Sequence, residues 1–371
     1  MRLALDVSAV PLRVAGAGRY VVELASRLPG AGVDTTLVAR RDDVERWHAW
    51  SPDAAVVPLV PTGRLARLAA EAWRLGTTPT ARAVDLWHGP HYTMPRRGTT
   101  PAVVTIHDLT FFTNPEWHES AKAVFFRQAI RFAAHHARVL ICVSATTAAQ
   151  LDEIVPDHAP VVIAPHGVDL ERFSPEGDGD DARLAALGLG SAPGVLFVGT
   201  VEPRKGLDVL LRSFEMLGAD FPGVELWLAG QAGWGLGPIE EALRTHRVRH
   251  RIRRLGYVDD DALPALMRRA AVVCYPSRGE GFGLPVLEAL ACGALVVTTS
   301  ATVMEEVAGS AADLVPVGDE VALARALGEA LTTDAATRSS RARVGRERAT
   351  HFTWEASVAA HLRAYDEALG R

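Results

Sequence analysis

Residues 195–217 read VLFVGTVEPRKGLDVLLRSFEML. An apolar, β-branched run (Val195–Gly199) passes into a polar loop (Gly199–Gly206) and then into a helical pattern (Leu207–Leu217). The same strand–loop–helix order recurs along the chain. After it come strand Val224–Ala229, helix Pro238–His246, strand Ile252–Leu255, helix Asp260–Arg269, strand Val272–Tyr275, helix Leu284–Ala291 and strand Leu295–Thr298. Before it, strand candidates are Leu3–Val7, Thr35–Ala39, Val84–Trp87, Val103–Ile106, Val139–Val143 and Val161–Ala164. Helical patterns Arg19–Leu28, Arg64–Leu75, Glu116–Ala137 and Ala145–Ile154 lie between them. Alternation of this kind predicts an α/β fold built on parallel sheets covered by helices on both faces.

A chain of 371 residues is long for a single core, so two domains are expected. The acidic stretch 173–193, with Gly and Pro at both ends, has the composition of a linker. The expected division is therefore 1–172, a linker at 173–193, a second domain at 194–350 and a C-terminal helix within 351–371. Hydrophobic residues at 48% and charged residues at 22% exclude a disordered chain. The net charge of −5 gives no general attraction to nucleic acid or acidic membrane. Cys142, Cys274 and Cys292 lie in or beside apolar runs without paired spacing, which suits reduced structural thiols in a cytosolic protein. Asp6 and Arg13 interrupt the opening apolar stretch, so it is expected to be a first strand and its loop, not a secretion signal. No 18-residue apolar span is present.

Ligands of open parallel sheets bind beyond the carboxyl ends of the strands. Arg204 and Lys205 stand there, just before a helix start, where the macrodipole disfavours cations by up to about 1 kcal/mol. An anion such as phosphate at that helix start would explain them; solvation or pairing with Glu202 is the alternative. A second cluster is RGEGFGLPVLEALACG, 278–293. Gly281 and Gly283 permit close backbone approach, Pro285 suits a first helical turn, and Glu280 falls in the loop. Glu288 then sits one turn into an apolar helix, where a carboxylate needs a partner: ligand hydroxyls, solvent at the mouth of a cleft, or a distant arginine or lysine. His107 ends the strand before TIHDLTFF's loop; His88, His91 and His166 hold comparable positions, and each can equally be structural. No histidine spacing matches a zinc site, so no metal is expected. Gly16 and Gly18 follow the first strand, but Val21 replaces the third glycine of a dinucleotide fingerprint.

Two stretches of the chain are strongly basic. RTHRVRHRIRR, 244–254, holds six arginines without interleaved aromatic residues, so a solvated face is expected and no nucleic acid. Helix Arg64–Leu75 is basic and amphipathic, which fits an ordinary packed surface helix or a peripheral membrane contact.

Taken together, GAGRY, TIHDLT, APHGVD, GTVEPRKG, GYVDDDAL and EGFGLPVLEALACG resemble the family-4 (group 1) retaining, nucleotide-sugar-dependent glycosyltransferases. The last segment carries that family's E-x7-E signature as Glu280 and Glu288, and the resemblance spans nearly the whole chain. It departs from many relatives at His166, where they have Asn, and at Ala17, which splits the first glycine pair. The resemblance implies the GT-B architecture: two doubly wound, Rossmann-like domains facing a cleft, with the C-terminal helix crossing back to the first domain. It also implies roles. Glu288 accepts from the donor's ribose hydroxyls, and Arg204 and Lys205 neutralise the diphosphate. Glu280 with the backbone of Phe282, Gly283 and Leu284 holds the transferred sugar, which His107 faces from the other domain. Gly16 and Gly18 line the cleft, and Tyr257 and Val258 lie beside the base.

The activity so implied is metal-independent transfer of a hexosyl unit from a nucleoside-diphosphate sugar, with no separate cofactor. GDP-mannose is the first expectation for the donor and a UDP-sugar the second, and the acceptor is a glycan, lipid-linked or small-molecule hydroxyl. A cytoplasmic site of action is expected, with peripheral contact at the inner membrane face only if the Arg64–Leu75 helix is exposed. A sugar-nucleotide epimerase of the same fold and a non-catalytic sugar-nucleotide-binding partner are the competing readings.

Overall fold

The computed structural model describes every residue except 15, 64, 65, 67–69, 71–73, 219, 234 and 236. The chain forms two compact units, Met1–Gly167 with Trp354–Arg371, and Val168–Thr353. The helix expected over Arg64–Leu75 falls mostly on residues outside the described set.

The first unit carries strands β1 (Arg2–Asp6), β2 (Asp34–Arg40), β3 (Ala55–Val60), β4 (Leu86–Gly89), β5 (Ala102–Ile106), β6 (Val139–Cys142) and β7 (Val161–Ile163). They form one parallel sheet in the order β3-β2-β1-β4-β5-β6-β7. Every residue of β4, β5 and β6 is buried, which is why these strands read as unbroken apolar runs and not as alternations. Helix Ala145–Ile154 starts where expected because Ser144 caps it, its hydroxyl accepting from Thr147 N at 3.0 Å. The expected helix Glu116–Ala137 begins later: Pro115–Trp117 is a 3₁₀ turn and the α-helix runs Ser120–His136. Helix Trp354–Ala368 belongs to this first unit, where it packs on β5, β6 and β7.

The second unit carries β8 (Gly194–Val198), β9 (Glu225–Ala229), β10 (Ile252–Gly256), β11 (Val272–Tyr275), β12 (Val296–Thr299) and β13 (Asp313–Val315). Their order is β10-β9-β8-β11-β12-β13, again all parallel. Helix Leu207–Met216 buries Leu207, Leu210, Leu211 and Phe214 in the core that Val195, Phe197, Leu226 and Leu228 form from the sheet. Each such side chain contributes about 2 kcal/mol of burial. The stretch 173–193, expected as a linker, lies within this unit and carries helix Asp180–Ala186. Phe173, Leu184 and Leu189 are buried, and Arg268 clamps Asp180 with two bonds of 2.7 Å.

Candidate functional site

In the second sheet the strand order reverses between β8 and β11, so the loops that follow these two strands leave it side by side. The first loop brings Arg204 and Lys205, in a 3₁₀ turn over Pro203–Lys205; the second brings Ser277 and Glu280. Gly206 closes the first loop in a left-handed conformation, φ +68°, against the second. A Cβ there would stand 2.1 Å from the Pro276 carbonyl oxygen, so only glycine fits.

Glu280 is the centre of this meeting. Its side chain is 8% exposed, and Lys205 Nζ donates to its Oε1 at 2.6 Å while Arg204 Nη1 donates to its Oε2. Ser277 Oγ donates to Oε1 at 2.6 Å, and the Tyr275 hydroxyl donates to it at 3.0 Å. That hydroxyl in turn accepts from Lys205 at 2.8 Å. Arg204 also meets Glu202, Nε to Oε1 at 2.6 Å. Burial alone would raise the Glu280 carboxyl, but Arg204 and Lys205 override it and hold the group down at about 2. Lys205 is pulled below the ordinary lysine value by burial and by Arg204, against the attraction of Glu280 and Glu202. The Tyr275 phenol is raised well above its ordinary value by burial and by Glu280. Two cations and two carboxylates thus form one nearly dry, charge-balanced cluster.

The other expected residues of this unit lie on the following helix and at neighbouring strand ends. Gly283 has φ +104° and opens helix Leu284–Ala291, with Phe282 and Leu284 buried beside it. Glu288 lies one turn into that helix and is half-buried, while Val286, Leu287, Ala289 and Leu290 are fully buried. Along the strand ends, Gly199 N donates to Ala229 O at 2.9 Å and Gly230 N to Gly256 O at 2.6 Å. This lines the ends of β8, β9 and β10 with backbone and places Tyr257, half-buried, and Val258, buried, just beyond β10.

In the first unit, His107 immediately follows β5 and is 6% exposed. Its Nε2 donates to the Pro90 carbonyl at 2.7 Å, which leaves Nδ1 as the acceptor of a neutral ring. Burial lowers its pKa, outweighing the Pro90 bond and Asp108. His91 and His166 lie near it, with ring centroids at 5.5 and 5.8 Å. His88 is a buried residue of β4, held at both nitrogens by Tyr365 and Thr105. Gly16 has φ +50° and starts helix Ala17–Arg27; Gly18 is packed at ordinary contact distance, where a Cβ would meet Pro11 and Val14 at 3.5 Å.

Sequence reasoning missed Tyr275 and Ser277 as partners of Glu280. Both flank the loop after β11, and that position at a strand end was the available signal. Four of the six arginines in 244–254 form surface pairs: Arg244 with Glu241, Arg247 with Glu215, Arg253 with Glu225 and Arg254 with Glu240. Arg251 instead turns inward to the carbonyls of Phe221 and Val224. All three cysteines are free and buried. Among the described residues no group of three His, Cys, Asp or Glu is placed to hold a metal ion, and no helix is long and apolar enough to cross a membrane.

Known proteins match both halves. A family described as Glycosyltransferase Family 4 matches residues 14–172, and one described as Glycosyl transferases group 1 matches residues 192–333. The chain is 28% identical to the O-antigen chain mannosyltransferase B of Escherichia coli, covering 98% of this chain and 99% of that protein. It is 30% identical to the D-inositol 3-phosphate glycosyltransferase of Salinispora tropica, covering 98% and 85%. Among solved structures, sucrose-phosphate synthase from Thermosynechococcus elongatus superposes with a TM-score of 0.80 at 22% identity, covering 100% and 99%. That likeness speaks for the fold. With both sheets parallel and doubly wound, and relatives aligned along almost their whole length, the chain belongs to the group 1, family 4 glycosyltransferases of GT-B architecture and is a glycosyl-transferring enzyme.

Proposed function

We propose that the enzyme transfers a hexosyl unit, mannose first, from a nucleoside-diphosphate sugar to a hydroxyl acceptor in glycan, polysaccharide or glycoconjugate synthesis. Configuration is retained and no divalent metal takes part. The observation that carries this reading is the convergence of Arg204, Lys205 and Glu280 at the switch point of the second sheet. Breaking a glycosyl–phosphate bond leaves charge on the diphosphate and oxocarbenium character on the sugar. Fixed cations at one end and a carboxylate beside the other stabilise both developments.

In this reading a donor diphosphate competes with Glu280 and Glu202 for Arg204 and Lys205. Glu280, so released on one side, turns to the sugar hydroxyls with the backbone of Phe282, Gly283 and Leu284. Glu288 accepts from the ribose hydroxyls, and Tyr257 and Val258 flank the base. His107 and the loop of Gly16 and Gly18 serve from the first unit, where neutral His107 offers Nδ1 to a sugar hydroxyl. Mannose is the first sugar, a choice supported by a full-length relative named a mannosyltransferase, with GDP-mannose proposed as the first donor and a UDP-sugar as the second. Acceptors are glycan, lipid-linked or small hydroxyl compounds. The reading carries with it a cytoplasmic enzyme with peripheral contact at the inner membrane face, and the three free thiols support a reducing compartment.

Product analysis tests it. Incubated with GDP-mannose and a mannoside acceptor, the enzyme releases GDP and forms a longer glycan, and Glu280→Ala slows both. A sugar nucleotide altered in configuration without any acceptor would mark an epimerase instead. Binding without turnover under every acceptor would mark a non-catalytic partner.

A further inference from the structure

Tyr20, in the GAGRY segment, is fully buried and is the hub of a polar chain that crosses the first unit. Its hydroxyl lies 2.8 Å from Thr105 Oγ1 and 2.7 Å from His361 Nε2, on helix Trp354–Ala368. His361 Nδ1 meets the Ser357 carbonyl at 2.7 Å; His88 Nε2 meets Thr105 Oγ1 and His88 Nδ1 meets the Tyr365 hydroxyl, both at 2.8 Å.

The direction of these bonds follows from one fact: a carbonyl only accepts. His361 therefore carries its proton on Nδ1, and in a neutral ring Nε2 must accept from Tyr20. Tyr20 then accepts from Thr105, Thr105 accepts from His88 Nε2, and His88 Nδ1 accepts from Tyr365. Full burial keeps both rings neutral, pushing His361 down to about 4 and His88 well below its ordinary value. Each group thus has one role, and the chain runs one way from Tyr365 to Ser357. The Tyr20 ring meanwhile stands edge-on to His107, centroids 5.2 Å apart at 79°, and lies against His166 at 4.8 Å.

We infer that Tyr20 is a positioning residue for His107 and that His361 of the C-terminal helix holds Tyr20 in place for that task. Thr105, on β5 two residues before His107, fixes the other side of the hydroxyl. The C-terminal helix is thereby an organiser of the groups around His107. This inference rests on the proposed role of His107 in sugar transfer.

Two measurements on the full chain test it. Histidine side-chain ¹⁵N spectra should show His361 protonated on Nδ1 and His88 on Nε2, with the His107 ring resonances displaced in Tyr20→Phe. Opposite tautomers, or His107 resonances that Tyr20→Phe leaves unmoved, overturn it. Kinetically, Tyr20→Phe should lower kcat for GDP release from GDP-mannose by about tenfold with KM within about twofold, and add nothing further to His107→Ala. His361→Gln, which keeps an acceptor toward Tyr20, should retain far more activity than His361→Leu. Additive losses, or equal losses in the two His361 variants, would reduce the network to scaffold. A wild type that neither binds GDP nor releases it defeats the donor reading alone, and the spectra still decide the inference.

Discussion

Lys205 Nζ stands 2.6 Å from Glu280 Oε1 across 75 residues of sequence, and both side chains are under one-tenth exposed. A pair this dry is costly to assemble and costlier to break, because the partner left behind is an unpaired buried charge. Glu280→Gln is therefore expected to destabilise the second unit by several kcal/mol at neutral pH.

That loss has a pH signature. Glu280 sits at about 2 in the fold, below the ordinary value of 4.5, so its contribution is full above the ordinary value and is lost as pH falls toward 2. The stability gap between wild type and Glu280→Gln should narrow by about 3 kcal/mol between pH 6 and pH 2, read by urea unfolding. A gap that stays constant over that range would contradict the assignment.

Gly206→Ala probes the junction of the two loops. The substitution meets both a left-handed φ of +68° and a backbone oxygen at 2.1 Å, which no side-chain rotation relieves. A cost of about 2–4 kcal/mol is expected, with loss of the Arg204–Lys205 turn. Gly283→Ala is strained too, at φ +104°, but should be milder, since its Cβ would meet the thioether end of Met304 at 2.4 Å and that end can move, whereas the Pro276 carbonyl cannot. Thermal unfolding of the two variants side by side gives the order.

Tyr365→Phe removes the hydroxyl that donates to His88 Nδ1 and leaves a buried acceptor unsatisfied. A loss of about 1–3 kcal/mol is expected in the first unit. Unfolding by urea measures the loss, and calorimetry should find nucleoside-diphosphate binding within about twofold of wild type, because the Glu280 cluster lies in the other unit.

Much of this plan was legible in the sequence. The central strands and helices Ala145–Ile154 and Leu284–Ala291 announced themselves by apolar runs and start signals. Strand β3 did not, because Pro58 interrupts AVVPLV; it survives as an edge strand whose register shifts between Val38 and Arg40 of its single neighbour. Strand β13, three residues at the opposite edge of its sheet, is too short to leave a pattern. The stretch 173–193 has loop-like composition, yet Leu184, Leu189 and the Asp180–Arg268 pair seat it on the second unit. Individual members of the charge cluster were visible as residues out of place, but their meeting depends on β8 lying beside β11, which no local pattern encodes. The Tyr20–His361 bond joins residues 341 positions apart and was invisible for the same reason.

The most direct test of the donor site is calorimetric titration of GDP, UDP, ADP and dTDP, without added metal, into wild type, Glu288→Ala and Arg204→Ala. One diphosphate should bind the wild type and lose at least about tenfold in affinity in each variant. Absence of binding by all four, or undiminished affinity in folded Glu288→Ala, would contradict the donor site.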